Sequence, residues 1–558
     1  MMSVKLKIIT IAITLIFSTP VMAVVPDNGT KAQQDSGKKI YDNLCSQCHG
    51  DQGVGDGIAQ KYLKPWPRNF KKGIYKFKST PDDRLPTNKD LIRVIRKGNP
   101  YTGMPAWPQL TDEEVLNVVY YLKTFTKEYA DAESMKDESI APIPLKLPSS
   151  APSWNQESAD KGKKLFAENK CIDCHGKVGR GSGTSAPTTE DIDSNQIRPR
   201  DLTKRWTFRN GPTRDDIFRT ISMGISPMPS FHNLSEQERW NIVDYVYSLG
   251  ESDEAKYDTV VLGEPIQGDL DLSKSNELFK NAKAAYFPVI AQVIQPGRAF
   301  YASADGVEVK AIYNKDEIAI MLSWHDMAAE INKPTETADA GGDDDGWGDD
   351  SGDDWGDDSG GDDWGDDSAE SNEPVVQKNA PDIKIGIIDP KTTKEKHAGY
   401  SDAVAIQIPS KKVKGVIKPY FVFGDKKMAV DLWFADLANA KDKADFYTAK
   451  SAANITKGDE LINFKSSYVE GRWETIFKRK RIKENGTSFE EKGFTPIAFS
   501  IWDGFNNERG NKRGLTSWFH VYLKPMKEES ILGKMALGAL FAVLIELAIV
   551  GLVRRKKK

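Results

Sequence analysis

The sequence predicts a multidomain chain with two small all-α domains, then one β-sandwich domain, then one C-terminal transmembrane helix. Three observations carry this reading. The four cysteines in 558 residues, Cys45, Cys48, Cys171 and Cys174, fall in two Cys-x-x-Cys-His motifs, each set among helical patterns. From about residue 257 the pattern changes to short alternating apolar runs separated by turn residues. Met535–Val553 is an apolar run of nineteen residues with one charge, Glu546, enough to cross a bilayer of roughly 30 Å. A composition of 39% hydrophobic and 28% charged residues excludes a wholly disordered chain and a multi-span membrane protein. The net charge of -4 hides an imbalance, because residues 343–367 hold 13 Asp and no Lys or Arg, leaving +9 for the rest.

Residues 1–23 read as a secretory signal peptide, with Lys5 and Lys7 before the apolar run Ile8–Phe17 and small residues at Val21-Met22-Ala23. At the far end, residues 533–553 form the expected membrane helix, and the basic tail Arg554–Lys558 stays on the cytoplasmic side. The expected location is therefore the inner membrane, crossed once, with residues 24–530 on the periplasmic side. Glu546 in mid-span is expected to face a partner helix or to be protonated.

Cys45-Ser46-Gln47-Cys48-His49 and Cys171-Ile172-Asp173-Cys174-His175 have the spacing of haem c attachment. Two thiols one helical turn apart can add to the two vinyl groups of one haem, and the adjacent His49 or His175 then points at the iron. A thioredoxin-like pair would not repeat with His in the same place, and zinc would need two more ligands nearby. Short helical patterns lead into each motif at Lys38–Leu44 and Lys161–Asn169, and glycine-rich loops follow at 53–57 and 179–183. Each segment then has a helix (Lys89–Lys97; Arg214–Ile221) and a Met-Pro loop around Met104-Pro105 or Met228-Pro229. A closing helix opens with a capping box, Thr111 with Glu114 or Ser235 with Glu238.

Residues 34–130 and 155–252 resemble class I cytochromes c. The resemblance implies two covalent haems c, with Met104 and Met228 as sixth ligands; Met223 competes with Met228, and His232 reads as a surface residue. A thioether opposite an imidazole raises the potential of the iron, and a filled sixth position favours electron transfer over oxygen chemistry.

In residues 257–525, runs such as Val307–Tyr313, Ile318–Trp324, Val404–Ile408, Val430–Trp433, Ile497–Trp502 and Trp518–Leu523 argue a β-sandwich. The motifs Trp324-His325-Asp326, Ser401-Asp402, Gly471-Arg472-Trp473, Trp502-Asp503-Gly504 and Thr516-Ser517-Trp518 go further. With them the segment resembles the haem b-binding γ subunits of type II dimethyl sulfoxide reductase-family enzymes, such as ethylbenzene dehydrogenase. The resemblance implies one haem b held between a Met and a Lys, exchanging electrons with an Fe–S subunit. Phe423 stands at the family's Met position, with Met428 the nearest substitute; Arg513 stands at the Lys position, with Lys512 beside it. The alternative is a sandwich that has lost its haem and only docks partners.

Residues 338–374 form an acidic insert whose Asp-Asp-Trp-Gly-Asp-Asp repeats cannot bury a core and repel one another. A solvated loop, a docking segment for a basic partner and a weak calcium site are the readings. The expected function is a membrane-anchored multihaem cytochrome. It would relay electrons between a periplasmic molybdenum oxidoreductase and a soluble c-type cytochrome or membrane carrier. Nucleic acid is not an expected partner, and no catalytic residue set stands out. A dihaem peroxidase-like enzyme and a dihaem cytochrome with a haem-free docking module are the rivals.

Overall fold

The computed structural model describes residues 27–331, 400–526 and 539–549, apart from 82–83, 100–101, 132–133, 138, 147, 149, 193, 195, 296–298 and 414–416. The expected signal peptide, the acidic insert and both ends of the expected membrane helix lie outside the described residues. Among the described residues no helix is long and apolar enough to cross a membrane. The helical stretch 539–549 exposes Leu540, Phe541, Leu544 and Leu547.

The chain divides into two compact units. One comprises Met1–Leu165, Glu190–Ile197 and Thr207–Ser248, the other Phe166–Thr189, Arg198–Trp206 and Leu249–Lys558. The first unit is helical. Helix α1 (Lys31–Leu44) starts at a reciprocal capping box of Thr30 and Gln33 and runs into the short α2 (Ser46–His49). Helix α3 (Asn88–Lys97) is boxed by Thr87 and Asp90, and α4 (Asp112–Lys123) by Thr111 and Glu114. Tyr41, Phe70, Leu91, Ile95, Val115, Val118 and Leu122 share one core, so the apolar stripes of α1, α3 and α4 converge on it. The pattern recurs with α5 (Gln156–Glu168), α6 (Cys171–His175), α7 (Arg214–Met223) and α8 (Glu236–Ser248). Phe218 of α7 stacks on Trp240 of α8 at 4.3 Å, and Arg214 pairs with buried Asp244. The end of α5 and all of α6 belong to the second unit.

The strands of the second unit are β1 (Val260–Pro265), β2 (Ala285–Pro288), β3 (Ile290–Ala291), β4 (Gly306–Tyr313), β5 (Glu317–His325), β6 (Ala403–Pro409) and β7 (Val430–Asp436). They continue with β8 (Lys443–Ser451), β9 (Asn454–Tyr468), β10 (Arg472–Lys480), β11 (Phe494–Trp502), β12 (Gly514–Leu515) and β13 (Phe519–Leu523). The expected sandwich is one hydrogen-bonded sheet that closes on itself, in the order β13-β1-β4-β5-β10-β9-β8-β7-β6-β11, with β11 pairing again to β13. Closure depends on β11 serving two neighbours in turn: Phe494–Ile497 face β13, and Ala498–Trp502 face β6.

The side chains follow the strand period of two. Ile320 and Leu322 of β5 and Val404 and Ile406 of β6 enter one large core with Trp433, Phe477 and Phe499. Their neighbours Ala319 and Met321 pack under Leu270 and Phe279, while Ala403 and Ala405 pack under Phe423 and Trp502. Both faces of β5 and β6 are thus covered, which explains their unbroken apolar sequences.

Candidate functional site

Each Cys-x-x-Cys-His motif sits on a short helix whose last carbonyls are capped by the following glycine-rich loop. In the first, Gly55 N–H donates to His49 O (2.8 Å), Gly57 N–H to Cys48 O (3.2 Å) and Ala59 N–H to Gln47 O (2.9 Å). In the second, Gly181 donates to His175 O (2.8 Å), Gly183 to Cys174 O (3.1 Å) and Ser185 to Asp173 O (2.7 Å). Two separate stretches of sequence therefore build the same cradle, bond for bond. These bonds satisfy helix-end carbonyls that would otherwise lack partners.

The histidines are oriented alike. His49 Nδ1 donates to Arg68 O at 3.1 Å, and His175 Nδ1 donates to Arg200 O at 3.1 Å. With the proton held at Nδ1, each Nε2 carries the lone pair that a metal needs. Burial lowers the pKa of both rings, which keeps them neutral. His49 is also stacked on Phe70, 4.5 Å between ring centroids.

The four thiols form no disulfide with one another and are half-buried. Burial pushes Cys45 up to about 12 and Cys171 up to about 11, the opposite of the depressed pKa of a redox-active thiol pair. Thiols one turn apart beside a neutral, oriented imidazole fit a covalently attached haem. When bound, that group supplies a one-electron iron centre.

The two methionine loops correspond as well. Trp107 N–H donates to Ile95 O and Phe231 N–H to Ile221 O, both at 3.0 Å. The Met104 and Met228 carbonyls press on Gly98 and Gly224, the residues that end α3 and α7. Met228 is thus the counterpart of Met104, and both are half-buried. Met223 lies inside α7 and is 2% exposed. His232 is exposed and bonded to Ser230 Oγ at 2.7 Å, a surface position. Cys171, Cys174 and His175 belong to the unit of the sheet, and Met228 to the helical unit.

The two residues at the family's ligand positions in the sheet do not supply ligands for a haem b. Phe423 and Arg513, at the family's Met and Lys positions, are packed on each other: the guanidinium carbon lies 3.9 Å from the Phe423 ring centroid and 5.6 Å from that of Trp502. Arg513 is fully buried, and its guanidinium cannot ligate iron. Its Nη1 donates to Gly510 O at 3.0 Å and to Asn511 Oδ1 at 3.2 Å. Of the substitutes, Met428 lies in the loop after Phe423 with its backbone N–H bonded to Asp425 Oδ1 at 2.9 Å, and the backbone N–H of Lys512 is bonded to Arg509 O at 3.0 Å.

One group escaped the sequence reading. Carboxylate oxygens of Asp326, Glu330, Asp402 and Asp503 lie within 4.8 Å of one another, and Glu508 is buried beside them. Asp402 accepts from Trp473 Nε1 (3.0 Å), Gly504 N (2.9 Å) and Glu330 N (2.8 Å), and Arg198 is ion-paired to Asp503. Three of these acids stand inside motifs that carried the γ-subunit resemblance, which was the available signal. Burial, then repulsion between like charges, raises the pKa of Asp326, Glu330, Asp402 and Glu508.

The consequence for stability has a definite sign. Unfolded carboxyls release their protons near pH ~4, whereas the folded cluster keeps them to higher pH, so stability falls as pH rises. Thermal denaturation should show the sheet unit losing up to about 1.4 kcal/mol per pH unit for each retained proton, from the ordinary carboxylate range through neutrality. Asp402→Asn should flatten that slope. A stability that rises over the same interval would contradict the assignment.

Residues 32–122 and 157–246 match the family described as cytochrome c oxidase, cbb3-type, subunit III. The chain is similar to a candidate respiratory nitrate reductase haem subunit of Haloferax mediterranei, 27% identical over 144 residues, 25% of this chain and 50% of that protein. It is similar to the cbb3-type cytochrome c oxidase subunit CcoP of Helicobacter pylori, 26% identical over 226 residues, 40% of this chain and 60% of that protein. Among solved structures, a chain of the reducing HAO-like protein complex of Kuenenia stuttgartiensis is 36% identical. That match covers 39% of this chain and 96% of the other, with a TM-score of 0.36. The chain spans about half to three-fifths of the length of these two curated relatives. The helical segments are cytochrome c domains, and their relatives are named as parts of respiratory complexes.

Proposed function

We propose that this chain is a membrane-anchored electron-transfer subunit. Its two haems c would relay electrons between a periplasmic oxidoreductase of the molybdenum class and a c-type cytochrome or membrane carrier. The observation that carries the reading is the twin cradle: each has two thiols and a neutral histidine oriented through Nδ1. A centre with both axial positions supplied by the protein exchanges electrons without an open site for chemistry. The sheet unit serves as a docking and supporting module without a haem of its own, in keeping with the Phe423–Arg513 stack. The exposed apolar side chains of 539–549 support an anchor at the C-terminal end, with residues 24–530 on the periplasmic side.

A pyridine haemochrome spectrum of the purified full chain tests this reading. The expected result is two c-type haems per chain and no b-type haem. A third, b-type haem would overturn the haem-free sheet. Rapid hydrogen peroxide turnover by the reduced protein would replace the relay with a peroxidase.

A further inference from the structure

The two cradles differ in what holds the peptide behind the histidine. The carbonyl that receives His49 Nδ1 is 19 residues further along the chain, whereas for His175 the separation is 25. The end of the second, longer connection, Arg198–Trp206, belongs to the unit of the sheet. Two residues before Arg200, Arg198 donates to Asp503 Oδ2 and to Ser303 O, the latter at 3.2 Å. Four residues after it, Lys204 is paired with Asp305 at 2.8 Å and lies over the Tyr286 ring. The peptide carrying the Arg200 carbonyl is therefore bolted to the sheet on both sides.

The glycine-rich loop is held as well. His325, the last residue of β5, donates from Nε2 to Arg180 O. Beside it, the turn between β9 and β10 places Glu470 and Gly471 at φ of +46° and +81°, the paired left-handed geometry of a tight hairpin. A Cβ on Gly471 would lie 2.8 Å from Ser182 and 3.1 Å from Arg180, so the hairpin backbone abuts the loop.

We propose that the sheet is the positioning frame of the second haem. In this arrangement His325, and Asp503 and Asp305 through Arg198 and Lys204, fix the peptides behind His175 and set the reduction potential of that haem apart from the first. The inference rests on Cys171–His175 being a haem c site. A carbonyl held firmly against Nδ1–H makes the imidazole a stronger donor, which favours the oxidised iron, and loosening it favours the reduced iron. His325, Arg198 and Lys204 are positioning residues here, because none of them is a candidate iron ligand.

The test is a potentiometric titration of the full-length His325→Phe, His325→Gln and Lys204→Gln variants. In His325→Phe, one of the two haem waves should move to higher potential while the other stays. The expected change is about tenfold in the electron-exchange equilibrium between the haems, 59 mV for a one-electron couple. His325→Gln keeps a donor for the Arg180 carbonyl and should restore the native value. Lys204→Gln should move the same wave in the same direction, and it decides the matter if His325→Phe does not fold. Two unmoved waves, two waves moving together, or a shift to lower potential would overturn the proposal. Fewer than two c haems in the wild-type haemochrome would instead overturn the haem reading beneath it.

Discussion

Met104→Ala drops the midpoint potential of one haem by on the order of a few tenths of a volt, within the roughly 0.8 V range that axial ligands span. The other wave is the internal control and stays. A thioether is a soft acceptor that stabilises ferrous iron, and water or an open position in its place removes that preference. Met228→Ala should do the same to the other haem, since its loop repeats the backbone contacts of the Met104 loop. Met223→Leu should change neither potential, because that side chain is packed within α7. Spectroscopy gives the second readout, with the low-spin signature of one haem lost in each alanine variant. A native Met228→Ala spectrum together with a perturbed Met223→Leu spectrum would exchange the two assignments.

Gly37→Val and Gly162→Val each abolish folding of one cytochrome domain and lower the haem content from two per chain to one. Helices α1 and α4 cross at Gly37, where an added Cβ would sit 1.9 Å from the Asn117 carbonyl oxygen. Helices α5 and α8 cross at Gly162, where it would sit 1.8 Å from Asn241 O. Overpacking in a core typically costs about 1–3 kcal/mol when side chains can shift. Here the obstacle is helix backbone, which has no alternative rotamer, so the helices must part. Haem-to-protein stoichiometry and far-ultraviolet circular dichroism measure the outcome. Two haems per chain in either variant would show that the crossing can relax.

Much of the helical half was legible because its chemistry is local. The capping pairs Thr111–Glu114 and Ser235–Glu238 form as their spacing implies, and the helix expected over Lys89–Lys97 is observed over Asn88–Lys97. The strands around Ile318, Val404 and Ile497 were legible because their residues are almost all buried, and the one around Val307 because Glu308 and Lys310 alternate with buried apolar neighbours. Strands β8 and β9 were not. Lys457, Asp459 and Glu460 interrupt the apolar alternation of a long hairpin whose sides are largely open to water. Sheet closure was hidden because it depends on one strand changing partners at Ala498, which no periodicity records. The acidic cluster was hidden for a related reason: the motif letters were readable, but Asp402 meets Gly504 across 102 residues of chain.

The parallel pairing of β1 with β13 bears on the order of assembly. Val260 pairs with His520, so the ring cannot close until nearly the whole folded portion of the chain has been made. Contacts of such long sequence separation form slowly and late. Tyr41, Phe70 and the helices around the first cradle need only residues from the first quarter of the chain. Arg198, two residues before the carbonyl behind His175, is paired with Asp503, the residue that follows β11, so this one fastening of the second cradle needs a part of the chain made more than 300 residues later.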